Sequence, residues 1–565
     1  MSLNFALGSA TSSLQAIQTR LGVAASNIAN ADTEGYTVKS ATVASRVTGG
    51  TGTGVTVTGI ASAVNANLLR SIVSATSADG EASVAAQYLR LVGDMLGSLS
   101  SEDGSGDTLA AGLASLASSL EALATTPESD TLKSQVALAL DDAATELRET
   151  SDGVQSLRQQ ADAAIETAVQ EINQALVAID DLNDSITRAQ SAGQSTADLE
   201  DQRMNAVRDL AALMDVTYFT DSTGAMKVYT SGGQPLVTAQ VHLLGHDAAS
   251  TVTSQSAYPS GLDGIWVNGI DITGDIRSGQ LAALVELRDT TLPAVQTDLD
   301  SIAAGLIDTM NGLANTGSAA PPPQSLTGAA TGLAGTDALS ATGTLRVVVT
   351  DADGLAVTVA DIDLSTLTTV DDLVGALNAV PGLGASLDAD GRLTLAATAS
   401  GTGVAVSGGD IGGKTVSSAF GLNDVLTGKG AEDIAVASAL LADPTRLPVA
   451  VVNSDAALAA GDVAVSGGSG TLAQAMADAL ADAGLGDSAA TLVADVGSLL
   501  NQAEATATGK ETALTALTDA FASRYGVNID EETARISELE SAYSASAQVL
   551  AAVQEMFDTL LQAVR

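Results

Sequence analysis

The segment GGDIGGKT, which begins at Gly408, has the spacing of a loop that cradles nucleotide phosphates: two glycines with four residues between them, then Lys414 and Thr415. Such a loop must lead into a helix, because the free N–H groups of the first helical turn hold the phosphate. Here Asp410 would place a negative charge inside the loop, and the following VSSAFGLND is short and interrupted by Gly421. We therefore interpret the match as chance in a chain with 55 glycines.

The two histidines, His242 and His246, have the i, i+4 spacing of the zinc-binding helix of metalloproteases. The general-base Glu of that motif is absent because Leu243 occupies its position, and Gly245 disfavours a helix, so a plain loop or strand is the better interpretation. Two DADG segments resemble the start of a calcium loop but lack its later ligands, and Asp-Gly hairpin turns account for both. No nucleophile-elbow motif accompanies the many serines. The sequence thus predicts no catalytic residue, no cofactor and no metal site.

Charge limits the partners that the chain can have. Its 23 Lys and Arg stand against 67 Asp and Glu, for a net charge of -44, so nucleic acid and anionic bilayers would be repelled. No apolar run approaches the roughly 18 residues of a membrane span. Near the N-terminus Arg20 is the single charge, without the basic start of a signal peptide. We therefore predict no nucleic acid or membrane partner, and either a cytosolic location or export by a route that reads another signal.

Both ends of the chain carry apolar heptads, which predict a coiled-coil seam on each terminal helix. The larger N-terminal seam residues are Leu3, Leu7, Leu14, Ile17, Leu21 and Ile28. The C-terminal seam residues are Ile536, Leu539, Tyr543, Leu550, Val553, Phe557, Leu560 and Val564. Each helix could simply pack on its own domain. However, the N-terminal helix carries one charge where the chain average of 16% would give about five, whereas solvated helix faces usually carry Lys and Glu.

A helix with uncharged polar residues all round suits burial among other protein chains, because an unpaired buried charge would cost several kcal/mol. The chain has no cysteine, so disulfides cannot hold such an assembly, and its apolar share of 45% includes only 2% aromatics, which suits interfaces of small residues. We predict that the two seams form an assembly interface. Asn27 and Asn30 are predicted to adopt or support a left-handed C-cap, and Gly35 to take positive φ where the chain turns away.

The interior of the chain predicts a long helical bundle. Residues 154–186 form the clearest helix, with Ile165, Ile172, Ile179 and Ile186 in one heptad set. Candidate partner helices lie at about 63–99, 197–214, 277–315 and 486–523. Between residues 215 and 275, short alternating segments with Gly-Gly and Asp-Gly turns predict strands attached to this bundle.

A different kind of domain follows the aperiodic segment GSAAPPPQSLTGAATG. It contains the strand-like runs TGTLRVVVT, GLAVTVA, GRLTLAA and GVAVSGG and the helical run TVDDLVGALNAV. The predicted fold class is α+β and multidomain. It consists of a terminal α-helical coiled coil (1–35 and 535–565), an elongated helical bundle with attached β segments (36–315 and 436–534) and an inserted small β-rich outer domain (316–435).

SNIANADTEGYT, residues 26–37, together with the terminal heptads, resembles the N-terminal signature of the bacterial flagellar axial proteins of rod, hook and hook-associated type. The C-terminal segment from YGVNIDEETARISELESAYSASAQVL onward is similar to the matching end of that group, and nearest to the hook-associated protein 1 family. ADLEDQRMNAVRDLAALMDV at 197–216 and SGGQPLV at 231–237 resemble the interior of that family, which hook and rod subunits lack. Leu539-Glu540-Ser541 departs from the Tyr-Gln-Gln type run that is usual in the group.

The resemblance implies a secreted structural adaptor at the junction of hook and filament, and not an enzyme. Such a subunit is exported unfolded through the flagellar type III channel and joins a ring of its own copies, with its first and last helices paired in the inner layer. The implied partners are the hook protein, hook-associated protein 3 next to the filament, and an export chaperone. The resemblance also adds Tyr36 to the predicted interface.

Three alternatives remain open from the sequence. A hook or distal-rod subunit would share the terminal seams but would not be expected to carry the two interior segments. A surface-layer protein or adhesin is suggested by the acidity and the few aromatics, and would require no pairing between the two ends. An enzyme built on GGDIGGKT is the third.

Overall fold

The computed structural model describes residues 3–48, 50–97 and 108–563. Its helices, in chain order, are α1 (Leu3–Ala29), α2 (Ala66–Leu96), α3 (Leu109–Thr125), α4 (Asp130–Ser191), α5 (Ala197–Leu213), α6 (Gln280–Glu286), α7 (Leu292–Ala314), α8 (Val370–Asn378), α9 (Val416–Phe420), α10 (Ser438–Ala442), α11 (Thr471–Asp482), α12 (Leu485–Tyr525) and α13 (Ile529–Ala563). A π-helical turn, Leu287–Thr291, joins α6 to α7, and short 3-10 turns lie at Thr273–Asp275, Leu364–Thr366 and Pro444–Arg446.

The strands are short, and every pairing between them is antiparallel. In chain order they are β1 (Lys39–Thr48), β2 (Thr51–Ser62), β3 (Val216–Thr220), β4 (Met226–Thr230), β5 (Pro235–Val237), β6 (Leu244–Gly245), β7 (Trp266–Val267), β8 (Ile270–Asp271), β9 (Ser325–Thr327), β10 (Ala341–Thr350), β11 (Ala356–Asp363), β12 (Leu383–Leu387), β13 (Leu393–Ala397), β14 (Gly403–Ile411), β15 (Leu426–Thr427), β16 (Ala435–Val436), β17 (Val451–Val452) and β18 (Val465–Ser466).

The chain forms two compact units, and the first is assembled from three stretches, up to residue 88, 159–289 and from 501 onward. Its core lies where α4 packs with α5 and the small sheets β3-β4-β5 and β6-β7-β8. The predicted isoleucine heptad of α4, Ile165, Ile172, Ile179 and Ile186, is fully buried, which confirms that pattern. The helix itself is longer than predicted, because it begins at Asp130 rather than near residue 154.

The second unit comprises residues 89–158 and 290–500. In it α11 packs on α3 and α7, and a β-rich region places α8 and α9 over the sheets β11-β10-β14 and β12-β13-β9. Helix α8 begins with a capping box, in which Thr369 and Asp372 each accept a backbone N–H of the other. Hydrogen bonds from Thr368 and Thr369 lower the pKa of the Asp372 carboxyl to about 2.

The strand-like runs predicted for the inserted domain correspond to β10, β11, β13 and β14, and the helical run to α8. Both DADG segments are hairpin turns, as predicted: one joins β10 to β11 and the other joins β12 to β13. The elements that were not predicted are the strands β1, β2, β9, β12 and β15 to β18 and the helices α3, α9, α10 and α11. Among the described helices, none is long and apolar enough to cross a bilayer. The domain boundaries given above stay a prediction.

Candidate assembly site: the paired terminal helices and their joint

The first and last helices of the chain lie side by side and run in opposite directions. Leu3 shares a groove with Met556 and Leu560 near the end of α13. Further along, the hydroxyls of Ser13 and Ser546 lie 3.3 Å apart. The predicted pairing of the two ends is therefore present within the single subunit, and the C-terminal end of α1 lies toward the start of α13.

The seam residues of this pair are only partly covered by the subunit itself. Those that are buried are Ile17, Asn27, Leu539 and Val553. Those that are half-buried are Leu3, Leu7, Leu14, Leu21, Ile28, Asn30, Gly35, Tyr36, Ile536, Leu550 and Phe557. Tyr543 and Leu560 are exposed, as are Phe5 of α1 and Leu561 of α13. Val564 lies outside the described residues.

The end of α1 differs from the predicted left-handed cap. The helix ends at Ala29, and the Asn30 N–H still bonds to the carbonyls of Ser26 and Asn27 in a helical manner. Among the described residues, Asn268 is the one non-glycine residue with positive φ, so neither Asn27 nor Asn30 has that conformation. The prediction for Gly35 is confirmed, since its φ is +72°.

Asn27 instead binds the backbone of the strand that follows. Its Nδ2 donates to the Lys39 carbonyl at 2.9 Å, and its Oδ1 accepts the Lys39 N–H at 3.1 Å. The Tyr36 hydroxyl donates to the same Oδ1 at 3.0 Å. Because Asn27 is fully buried, these bonds satisfy an amide that would otherwise be costly to bury. The side chain thus ties the last turn of α1 to the start of β1.

Asp201 of α5 holds the same segment from the other side. Its carboxylate accepts the Thr37 N–H at 2.8 Å and the Thr37 hydroxyl at 2.9 Å, and it pairs with the Lys39 ammonium. The Lys39 side chain is only 3% exposed, lies over the Tyr36 ring at 3.3 Å from its centroid, and has Asp198 as a second, solvent-exposed partner at 3.1 Å. We call Asn27, Tyr36, Thr37, Lys39 and Asp201 the terminal joint.

The turn beside the terminal joint brings Gly35 against the end of the Asn205 side chain. Asn205 of α5 donates to the Glu34 carbonyl at 3.1 Å. A Cβ on Gly35 would lie 2.0 Å from the Asn205 Oδ1, and positive φ already favours glycine there. The signature segment 26–37 and the interior segment 197–216, which the sequence presents as separate motifs, are therefore in direct contact.

Thr37, Lys39, Asp198, Asp201 and Asn205 were missed as site residues. A signal was available for Lys39, because it is the first cation after a long helix with a single charge in a strongly acidic chain. A lone cation in that setting indicates a buried ion pair. Its partner on α5 could not be identified, since the two segments lie about 160 positions apart and no periodicity relates them.

The motifs that suggested other chemistry do not form reactive sites. In GGDIGGKT the Asp410 carboxylate accepts the Gly413 N–H at 3.1 Å, and the helix that follows, α9, has five residues. His242 contacts Asn268 and Thr238, whereas His246 is buried against Asp162, and neither lies on a helix. In the part of the chain that the structure describes, no group of three or more His, Asp or Glu is placed to hold a metal ion.

Three families match successive parts of the chain. The flagella basal body rod protein family matches residues 7–37, the helical domain of flagellar hook-associated protein FlgK matches residues 96–325, and the C-terminal family of flagellar basal body rod FlgEFG proteins matches residues 520–563. The rod-protein matches cover most of α1, all of α13, and Asn27, Tyr36 and Thr37 of the terminal joint. The FlgK match covers α3 to α7, including Asp201.

Curated relatives are similar to the chain from end to end. Flagellar hook-associated protein 1 of Salmonella typhimurium is 25% identical over 98% of both chains. The protein of the same name from Escherichia coli K12 is 24% identical over 98% of this chain and 99% of its own. The structure of the flagellar hook junction protein FlgK from Burkholderia pseudomallei is similar in fold, with a TM-score of 0.50 and 17% identity, over 80% of this chain and 98% of that one. Almost the whole chain is therefore similar to flagellar hook-associated protein 1, and its residues 96–325 match the helical domain of FlgK.

Proposed function

We propose that this chain is the structural adaptor that joins the flagellar hook to the filament, and that it is built into a ring of its own copies through the paired helices α1 and α13. The observation that carries the proposal is the incomplete burial of that pair. Leucine, isoleucine and phenylalanine residues of both seams stay half-buried or exposed in the single subunit. Completing the burial of each would contribute about 1 kcal/mol, which favours assembly over the free subunit.

The composition of α1 supports the same role. Arg20 is its one charged residue, so neighbouring copies can surround the helix at little desolvation cost. The role is mechanical and uses no catalytic residue, cofactor, nucleic acid or membrane. The partners we propose are the hook protein on one side and hook-associated protein 3 on the filament side, with an export chaperone before assembly. The protein is secreted and acts outside the cell, at the hook-filament junction.

Deleting the gene for this chain tests the proposal. An adaptor lets two differently packed tubes join, so its loss should stop growth at that step alone. We expect complete hooks, flagellin in the culture medium and no filaments, as seen by electron microscopy and by immunoblot of the supernatant. Absent hooks would instead indicate a hook or rod subunit, and unchanged swimming would indicate an adhesin. Normal filaments on the deletion strain would refute the proposed function.

A further inference from the structure

We infer that Asp201 is a positioning residue, which sets the register of α1 against α13 by holding the terminal joint. That this register matters for building the ring of subunits rests on the proposed function. The register itself is a property of the single subunit and can be measured there.

The heptad seams alone do not fix this register. Apolar residues recur every seven positions on both helices, so sliding one helix by a heptad would again place apolar residues opposite each other. Small residues at Ala10, Ala16 and Ala24 of α1 give few unique shapes that would oppose such a slip. The register must therefore be set by contacts outside the seam.

The terminal joint lies at the end of α1 and near the start of α13. The Val38 N–H donates to the Tyr525 carbonyl at 2.8 Å, and Tyr525 is the last residue of α12, a few positions before α13 begins at Ile529. Asn27 ties the end of α1 to Lys39 of the same segment. Holding residues 36–39 in place therefore holds the end of α1 and the start of α13 together.

Asp201 anchors this segment to α5 through the segment's side chains and backbone. It accepts both polar hydrogens of Thr37 and pairs with Lys39, and its own side chain is only 14% exposed. Asp198 contacts the same Lys39 ammonium but is 67% exposed and accepts nothing from Thr37. Charge-assisted bonds in a water-poor place are much stronger than an exposed ion pair. The two carboxylates on α5 thus form a matched pair for comparison.

Cross-linking of the full-length chain measures the register. Because the chain has no cysteine, Ser13→Cys with Ser546→Cys reports the native register through a short bismaleimide. Ala6→Cys or Arg20→Cys, each with Ser546→Cys, reports a slip of one heptad in either direction. Asp201→Asn should lower the ratio of native to slipped cross-link about tenfold or more, the factor that corresponds to about 1.4 kcal/mol. Asp198→Asn should leave the ratio unchanged, and Asp201→Glu should restore much of it.

Trp266 fluorescence and circular dichroism establish that each variant is folded. If Asp201→Asn does not fold, Thr37→Val, which removes one donor to the same carboxylate, should lower the ratio in the same direction. An unchanged ratio in a folded Asp201→Asn, or a ratio that falls equally in Asp198→Asn, would overturn the inference. The cross-linking tests the register and the deletion strain tests the adaptor function, so either can fail without the other. Filaments on the deletion strain would refute the adaptor function and leave the register result unaffected.

Discussion

His246 is a buried residue of the first unit, and its hydrogen-bonding neighbours favour the protonated ring. Its side chain is fully buried; Nδ1 lies 3.1 Å from the Gly264 carbonyl, which can only accept, and Nε2 lies 3.3 Å from the Asp162 carboxylate without an aligned hydrogen bond. A neutral ring would therefore turn a lone pair toward that carboxylate. Burial and the nearby Arg288 oppose protonation, but Asp162 and the Gly264 carbonyl raise the pKa of His246 above its ordinary value.

This arrangement predicts a loss of stability at alkaline pH. A raised pKa in the folded state gives stabilisation that is complete below the unfolded value of about 6.5 and is lost as the pH rises through the folded value. The urea midpoint, followed by the fluorescence of Trp266 in the same unit, should therefore fall as the pH rises above about 6.5. At about pH 6, His246→Gln should lower the free energy of unfolding by about 1 to 3 kcal/mol, because it removes the buried partner of Asp162. The variant should also lose the pH dependence of the urea midpoint.

His242 provides the control, since it is the only other histidine and lies nearer the surface. His242→Gln should keep the pH dependence of the unaltered chain. The same variant leaves a single histidine, so its NMR titration reports His246 directly. A His246 titration at or below its ordinary pKa would contradict the account of this ion pair.

Single residues were the hardest to predict from the sequence. Asn27 was interpreted by a local rule for helix ends, and that rule failed because its amide satisfies the backbone of Lys39 instead. His246 was interpreted as a plain loop or strand residue, because its partner Asp162 lies far away on α4. Gly35 was predicted correctly, since positive φ is a local requirement that glycine meets at no steric cost.

Elements were predicted better than residues, because burial on one face leaves a period in the sequence. Helix α4 illustrates this, since its isoleucines at heptad spacing are the centre of the first unit. The beginning of α4 was missed although Leu140, Leu147 and Val154 continue one heptad set of the predicted helix toward its N-terminus. The predicted seam of α13 starts at Ile536. The helix itself begins one heptad earlier, at Ile529, where the acidic residues of its first turn favour a helix start.

The packing of α4 gives a prediction at this scale. Ile172→Ala should lower the free energy of unfolding of the first unit by about 2 to 5 kcal/mol, because it removes a fully buried side chain and leaves a cavity. Val177→Ala on the exposed face of the same helix should cost no more than about 1 kcal/mol. Urea titrations read by Trp266 fluorescence compare the two. Equal losses would contradict the placement of the α4 core.

For the whole molecule, the predicted α+β class and the predicted resemblance to hook-associated protein 1 are confirmed, whereas the predicted domain boundaries stay a prediction. Along the chain, one compact unit gives way to the other inside α2, α4 and α12 and within the π-helical turn, where the sequence has no Gly, Pro or Ser-rich break. No shift in composition marks such a boundary. The resemblance could be recognised from the sequence because its motifs lie in the terminal joint and on α5. Contacts between distant segments require particular residue types there.

The central claim is that the paired terminal helices dock this chain on the hook. The most direct measurement adds purified protein to hooks isolated from the deletion strain and images the hook ends by immunogold electron microscopy. The full-length chain should label the distal ends, and truncations lacking residues 1–31 or 536–565 should remain folded by circular dichroism and Trp266 fluorescence but leave the ends bare. Docking by either truncation at the level of the full-length chain would contradict the account.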